Sequence, residues 1–546
     1  MTETKNPFLE PYNTPHHTPP FHLIKVEHYE PAIREGMKEQ NEEIDAIVNN
    51  AEKPNFQNTI VALERSGSLL ERVTTIFGNL LSAETNDEMQ ELAEKMMPLL
   101  AEHNNSISLN EKLFARIKAV YDRKDQLTLN GEDSMLLQKT YDGFIRSGAN
   151  LQGEAKEKYR RLNTELSVLA LRFSQNLLKE TNNYELSLTT SQLEGLPESM
   201  LESYAQTAKE KGKEGNIITL DAPSFVPFMK YCKDRTLRQQ LYMAYNTQCT
   251  HDNEYNNMDI IKQLVNIRME LVQLLGYSNY AEYVLKKRMA ETEESVYQLL
   301  NQLLEAYSPT AHQEVKEVEE LAHRLEGNDF QLMPWDWAYY SEKLKNEKFK
   351  LNEEELRPYF ELSQVKQGVF GLATRLYGIT FKENKEIPVY HPDVDAYEVF
   401  DEDGSFLAVL YTDFHPRAGK RSGAWMTSYK EQWIENGINS RPHISVTMNF
   451  SKPSAEKPAL LTFSEVNTFL HEFGHALHGI FANSTYATLS GTSVYWDFVE
   501  LPSQIMENFA IEKEFLNRSE ERRVWKECRK RCRYRWSPYH KKKIFL

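Results

Sequence analysis

Apolar residues recur at three- and four-residue spacing over most of the first 210 positions. AIVNNAE (46–52), NTIVALERSGSLLERVTTIFGNLLSA (58–83) and LAEKMMPLLAEH (92–103) each gather their apolar side chains on one helical face. Breaks are expected at Pro54, at Asn104 and Asn105, at Asn130 and Gly131, and at Gly148. KEKYRRLNTELSVLALRFSQNLLKET (156–181) predicts one long amphipathic helix. The N-terminal 28 residues carry Pro7, Pro11, Pro15, Pro19 and Pro20, a density that excludes a helix and predicts an extended arm packed on the body. His16 and His17 read as solvated residues of that arm rather than a metal pair.

The pattern changes over 182–230. NNYELSLTT and GNIITLDAPSFVPFMK place β-branched and aromatic residues near Gly and Pro, which predicts a short strand or two and a domain boundary near 225. Helices resume over 233–305, and Trp335-Asp336-Trp337 after Pro334 reads as a packing corner. From 378 to 450 the runs are short and alternating, as in GITFKE, DAYEVFDEDGSFLAVLYTDF and HISVTMNF, and predict strands. Asp401-Glu402-Asp403-Gly404 between two such runs is a hairpin signal; it lacks the spaced acids and closing Glu of a calcium loop. GKRSGAW (419–425) reads as a flexible loop. LLTFSEVNTFL (460–470) returns to the spacing of a buried helix, expected to continue to about Ile480. The whole is mainly α, with a small sheet preceding one buried helix.

That helix carries His471-Glu472-Phe473-Gly474-His475, an H-E-x-x-H motif. Positions four apart share a helix face, so the two imidazoles can hold one Zn²⁺ while Glu472 takes a proton from water. A two-His site needs a third ligand and an open position. A second helix after Gly491 and Thr492 offers Glu500, 25 positions beyond His475. His478 is a competing ligand, but using it would strand His471 and leave Glu472 idle, so it reads as supporting or packing. Asp497, Ser503, Gln504 and Glu507 surround Glu500 in sequence and are candidate supports. Glu507 could orient a ligand His or be an ordinary solvated charge.

HEFGHALHGIFANSTYATLSGTSVYWDFVELPSQIMENFA resembles the zinc-site segment of the M3 family, the thimet-oligopeptidase-like zinc metallopeptidases, and within it the bacterial peptidyl-dipeptidase (Dcp-type) branch. The likeness includes NPFLEPYNTP, PPFHLIKVEHYEPAI, PNFQNTIVALERSG, MPWDWAYYSEKLKNEKFKL, LRPYFEL, IPVYHPDV and GAWM, and runs from residue 7 to about 515. It implies a neurolysin-like fold, two helical lobes around a deep channel with a small sheet beside the zinc helix. It implies zinc on His471, His475 and Glu500, one ion per chain, and a general base at Glu472. It implies cleavage of short peptides with release of C-terminal dipeptides; the alternatives are an oligoendopeptidase of the same superfamily, or an inactive, zinc-binding fragment. Substrate-binding residues of the family fall in a segment with no match here. The expected domains are 1–225, N-terminal and helical; 226–517, zincin-like and catalytic; and 518–546, a basic tail.

Composition narrows the picture further. The chain has 546 residues, 40% hydrophobic and 26% charged, as in a globular protein. A net charge of −16 argues against a nucleic-acid partner. Four cysteines make no disulfide framework and point to a reducing compartment, so a cytoplasmic protein is expected; the expected state is a monomer acting on short peptides. The N-terminus lacks a signal-peptide pattern, and no apolar run approaches the ~20 residues of a membrane helix. Residues 518–546 hold twelve Lys/Arg and three Asp/Glu, a net of +9 that leaves −25 for the rest. A frameshifted or misassembled end is the expectation; a tail for an acidic surface is the alternative.

Overall fold

The computed structural model describes residues 5–453 and 457–513; the basic 518–546 segment lies outside the described residues. The proline-rich arm carries two single-turn 3₁₀ segments, Pro7–Leu9 and Pro15–His17, and lies along the body. His16 is not a solvated residue. Its Nε2 lies 2.7 Å from Glu398 Oε1 and its ring stacks on Phe406.

Four helices build the N-terminal part near the sheet: α1 (Val26–Val48), α2 (Ser68–Ala83), α3 (Asp87–Ser108) and α4 (Gly153–Asn183). α1 and α2 cross closely because Gly36 has no side chain; a Cβ there would lie 2.8 Å from the Leu70 backbone. The break expected at Asn104 and Asn105 is absent. α3 runs through both, and the buried Asn105 amide donates to Arg160 O (3.3 Å) and Thr164 Oγ1 (3.2 Å) on α4. A residue that reads locally as a helix breaker is here a contact between helices. The expected breaks at Pro54, Asn130 and Gly148 do fall between helices. The 182–230 region holds one antiparallel pair, Leu186–Leu188 with Asn216–Ile218. Trp335-Asp336-Trp337 forms a corner around a buried Asp336, clasped by Arg235 and Arg238.

Five strands form the main sheet: β1 (Thr380–Glu383), β2 (Val394–Phe400), β3 (Phe406–Asp413), β4 (Trp425–Lys430) and β5 (His443–Thr447). Their order is β1-β2-β3-β5-β4; β3 and β5 run parallel and the other neighbours antiparallel. Alternation along the strands sends Val399, Leu410, Ile444 and Val446 to one face, against α5 (Phe463–Ile480). It sends Val394, Ala396, Val409 and Tyr411 to the other, against α1 and α2. The sheet therefore separates the helix carrying H-E-x-x-H from the N-terminal helices. Asp401–Gly404 makes the expected turn between β2 and β3, with Gly404 at φ 82°. A second hairpin, Trp433–Glu435 with Ile438–Ser440, turns on Asn436-Gly437, both at positive φ.

The loop after β3 is pinned rather than flexible. Gly419 O accepts from Thr85 N (2.7 Å) and Arg421 N donates to Ser82 O (2.8 Å) at the end of α2. Its anchor is Asp413, fully buried, which takes two hydrogen bonds from Arg417 (2.9 and 2.7 Å) and one from Lys420 (2.7 Å). Burial alone would raise the Asp413 carboxyl, but Arg417 and Lys420 hold it below its ordinary range. Removing the carboxylate strands the Lys420 ammonium, whose side chain is also sealed from solvent. Asp413→Ala is therefore expected to cost about 3–5 kcal/mol at neutral pH, read by denaturant unfolding. Because the folded-state pKa is depressed, wild type keeps this contribution above the ordinary Asp pKa and loses it as acid protonates the folded carboxylate.

Candidate metal centre

α5 begins at a capping box. Thr462 Oγ1 accepts from Glu465 N (3.2 Å), and Glu465 Oε2 accepts from Thr462 N (2.7 Å). One side of the helix, from Val466 through Phe469 and Phe473 to Ile480, is buried in the core against the sheet. That burial fixes the rotation of the helix and turns Asn467, His471 and His475, four apart, toward a second helix, α6 (Glu500–Glu507).

α6 comes very close at one residue of the motif itself. A Cβ on Gly474 would lie 2.5 Å from Ser503 Cα and 2.6 Å from Pro502 O. Any larger residue would push α6 away. With glycine there, Glu500 Oε2 reaches 3.1 Å from His471 Nε2 and 3.2 Å from His475 Nε2. The three donor groups have ligand atoms within 4.8 Å of one another and are the only such group of three or more among the described residues.

The surroundings fix which atoms are free to bind. His471 Nδ1 lies 2.7 Å from Glu507 Oε1, which leaves Nε2 facing Glu500. Asn467 Nδ2 in turn donates to Glu507 Oε2 (2.9 Å). Ser503 Oγ donates to Glu500 Oε2 (2.8 Å). Burial lowers the pKa of His475, favouring the neutral ring that a metal needs. Glu472 is 5% exposed, and its Oε2 has no hydrogen-bond partner. Burial raises its pKa to about 7; His471 opposes this and Glu500 adds to it. A carboxyl so placed can hold or release a proton near neutrality.

His471, His475, Glu500, Glu472, Ser503 and Glu507 thus meet at one place. Three candidates do not join them. His478 is half-buried with an unpartnered Nδ1 and lies outside the three-donor group. Asp497 is engaged elsewhere, accepting from Met289 N (2.9 Å) and Ala290 N (3.0 Å). Gln504 is exposed and makes no side-chain hydrogen bond among the described residues. Asn467 escapes notice in the sequence, although it stands one helical turn before His471.

Two imidazoles and a carboxylate around one point form a group that could hold a metal ion, beside a buried carboxyl able to exchange a proton, which is the donor pattern of metal-dependent hydrolases. Residues 228–525 match Peptidase family M3. Dipeptidyl carboxypeptidase of Escherichia coli (strain K12) is 41% identical over 510 residues, covering 93% of this chain and 74% of the relative. Oligopeptidase A of the same organism is 35% identical over 518 residues, covering 94% and 75%. A solved structure of PZ peptidase A with an inhibitor superposes with a TM-score of 0.48 at 16% identity, covering 95% of this chain and 72% of that one. The chain belongs to peptidase family M3 and is an oligopeptide-cleaving peptidase.

Glu507→Ala frees the His471 ring to rotate and to change tautomer. It is expected to weaken metal binding 10–100-fold, measured by competition with a chelating dye, whereas His478→Ala should leave affinity within about 3-fold.

Proposed function

We propose that this chain is a zinc peptidyl-dipeptidase, acting on short peptides and releasing dipeptides from a free C-terminus. The convergence of His471 Nε2, His475 Nε2 and Glu500 Oε2 supports the metal reading most directly. The donor set of two neutral-capable imidazoles and one carboxylate suits Zn²⁺ with an open position. We assign His471, His475 and Glu500 as its ligands. A bound Zn²⁺ supplies Lewis acidity toward a peptide carbonyl and an attacking water.

In this reading Glu472 receives the proton of the attacking water and passes it to the leaving amine. Its buried position keeps the carboxyl able to do both near neutral pH. Glu507 and Asn467 keep His471 oriented, and Ser503 holds the Glu500 carboxylate. The substrate backbone is proposed to add to β4, the edge strand next to β5. Asn79 already donates to Ser428 O (2.9 Å), which leaves Trp425–Thr427 as the segment for pairing. We divide the chain near 225 into an N-terminal helical part and a catalytic part, place it in the cytoplasm on its cysteine usage, and take it to act as a monomer. The Escherichia coli relative named dipeptidyl carboxypeptidase supports the dipeptide specificity, and the relative named oligopeptidase A supports an endopeptidase as the second reading.

A hexapeptide with a free or amidated C-terminus separates the two. The expected products are chelator-sensitive C-terminal dipeptides from the free peptide and none from the amide, by mass spectrometry. Equal cleavage of both would establish the endopeptidase reading instead. Glu472→Gln should lower kcat by about 10²–10⁴-fold while metal content stays at the wild-type level.

A further inference from the structure

α5 passes β4 in a fixed direction. A Cβ on Gly479 would lie 2.9 Å from Met426 Cε. Ten residues earlier on α5, Phe469 packs on Phe414, which packs on Phe450 beyond the end of β5. Thr447, the last residue of β5, pairs with Trp425, the first of β4. His475 and His471 lie between Gly479 and Phe469, so the metal centre stands toward the Trp425 end of β4 and the loop before it.

The other end of the β4 edge is occupied. Asn79 donates to Ser428 O (2.9 Å) and accepts from Thr427 Oγ1 (2.7 Å). Backbone groups two residues apart face the same side of a strand, so those of Met426 and Ala424 also turn away from β5. A peptide pairing antiparallel along them runs its carboxyl end toward Gly423 and Arg421.

The segment 414–448 offers few cations for a carboxylate. Arg417 and Lys420 are engaged by Asp413, and Arg441 donates to the carbonyls of Leu407, Ala482 and Ile480. Lys430 lies past the Asn79 contact, its ammonium 5.4 Å from the centre of the Trp433 ring. Arg421 is left. It is exposed, has no carboxylate partner among the described residues, and lays its guanidinium 4.6 Å from the centre of the Trp425 ring. Its backbone is held on both sides. Its N–H donates to Ser82 O (2.8 Å), and Asn449 Nδ2 donates to Arg421 O (3.0 Å) and to Gly423 O (2.6 Å). A guanidinium resting on an aromatic ring above a pinned backbone is a preorganised fork for a carboxylate.

We propose that Arg421 is a specificity-determining residue that holds the C-terminal carboxylate of the substrate. The inference rests on the peptidyl-dipeptidase reading and on pairing with β4. The peptide runs antiparallel to β4 with its scissile bond at the metal centre. Its last two residues, about 7 Å in extended form, reach the 421–423 loop. There the Arg421 guanidinium donates to both carboxylate oxygens. The distance from the metal to this cation sets the length of the released product, because a longer or shorter end places the carboxylate away from the fork.

Fluorescence anisotropy tests this without relying on cleavage, using the full chain bearing Glu472→Gln to hold turnover down. An N-terminally labelled hexapeptide with a free C-terminus is expected to bind at least 10-fold more tightly than its C-terminal amide. Adding Arg421→Gln should weaken the free acid at least 10-fold and leave the amide unchanged. Arg421→Lys should restore part of the preference, and Lys430→Met should leave it intact. A preference that survives Arg421→Gln would overturn the assignment while the peptidyl-dipeptidase reading stands. Loss of the preference in Lys430→Met instead would reverse the peptide along β4 and overturn it as well. Equal binding of acid and amide, or no saturable binding, would also sink it, and product analysis of the two hexapeptides on the unaltered chain then decides the reading separately.

Discussion

The arrangement at the metal centre depends on one contact, the approach of α6 to Gly474. α5 alone presents two imidazoles, which are too few donors to hold an ion firmly. The third donor comes from a different helix, and that helix can come near only where α5 lacks a side chain. Gly474 sits between the two histidines, so the closest approach falls where Glu500 must reach both rings. The rotation of α5 is set independently, by Phe469, Phe473 and their neighbours buried against the sheet. Packing on one side and a missing Cβ on the other thus converge on the same three donor atoms.

The sheet serves both halves of the molecule. Its inner strands β3 and β5 are largely buried on both faces; in β3 this matches the apolar run Phe406–Tyr411, whereas β5 alternates polar and apolar residues and buries His443, Ser445 and Thr447 as well. One face positions α5; the other receives the arm, α1 and α2. Asp413 ties the end of β3 to the loop that returns to α2, so the two faces are held in register through one buried carboxylate and its two cations.

Much of this was legible in the sequence, and the failures have physical reasons. The helix at Phe463–Ile480, the long helix at Gly153–Asn183 and the strand-rich 378–450 segment follow from periodicity, because each buries one continuous face or both. H-E-x-x-H places its residues by helical geometry alone, and Glu500 was offered by the helix expected after Gly491 and Thr492 and then matched by the family resemblance. Long-range pairing was not legible. Asp497 stands three residues before Glu500 yet bonds to backbone more than 200 residues earlier in the chain, which no local pattern reveals. Asn105 and the Gly419–Arg421 loop looked like breaks or flexible chain because their partners lie on distant elements. The Asn436-Gly437 hairpin was different: its turn signal was present, but the flanking strands are three residues each and too short to register as alternation.

The central claim is that the missing side chain at Gly474 is what completes the metal site. The most direct measurement is the Zn²⁺ stoichiometry and affinity of wild type beside Gly474→Ala, with circular dichroism confirming that the variant folds. One ion per wild-type chain, and binding at least 10-fold weaker in a folded Gly474→Ala, is the expected result. A folded Gly474→Ala that binds zinc as wild type does would show that α6 reaches the histidines without that contact, and would contradict the account.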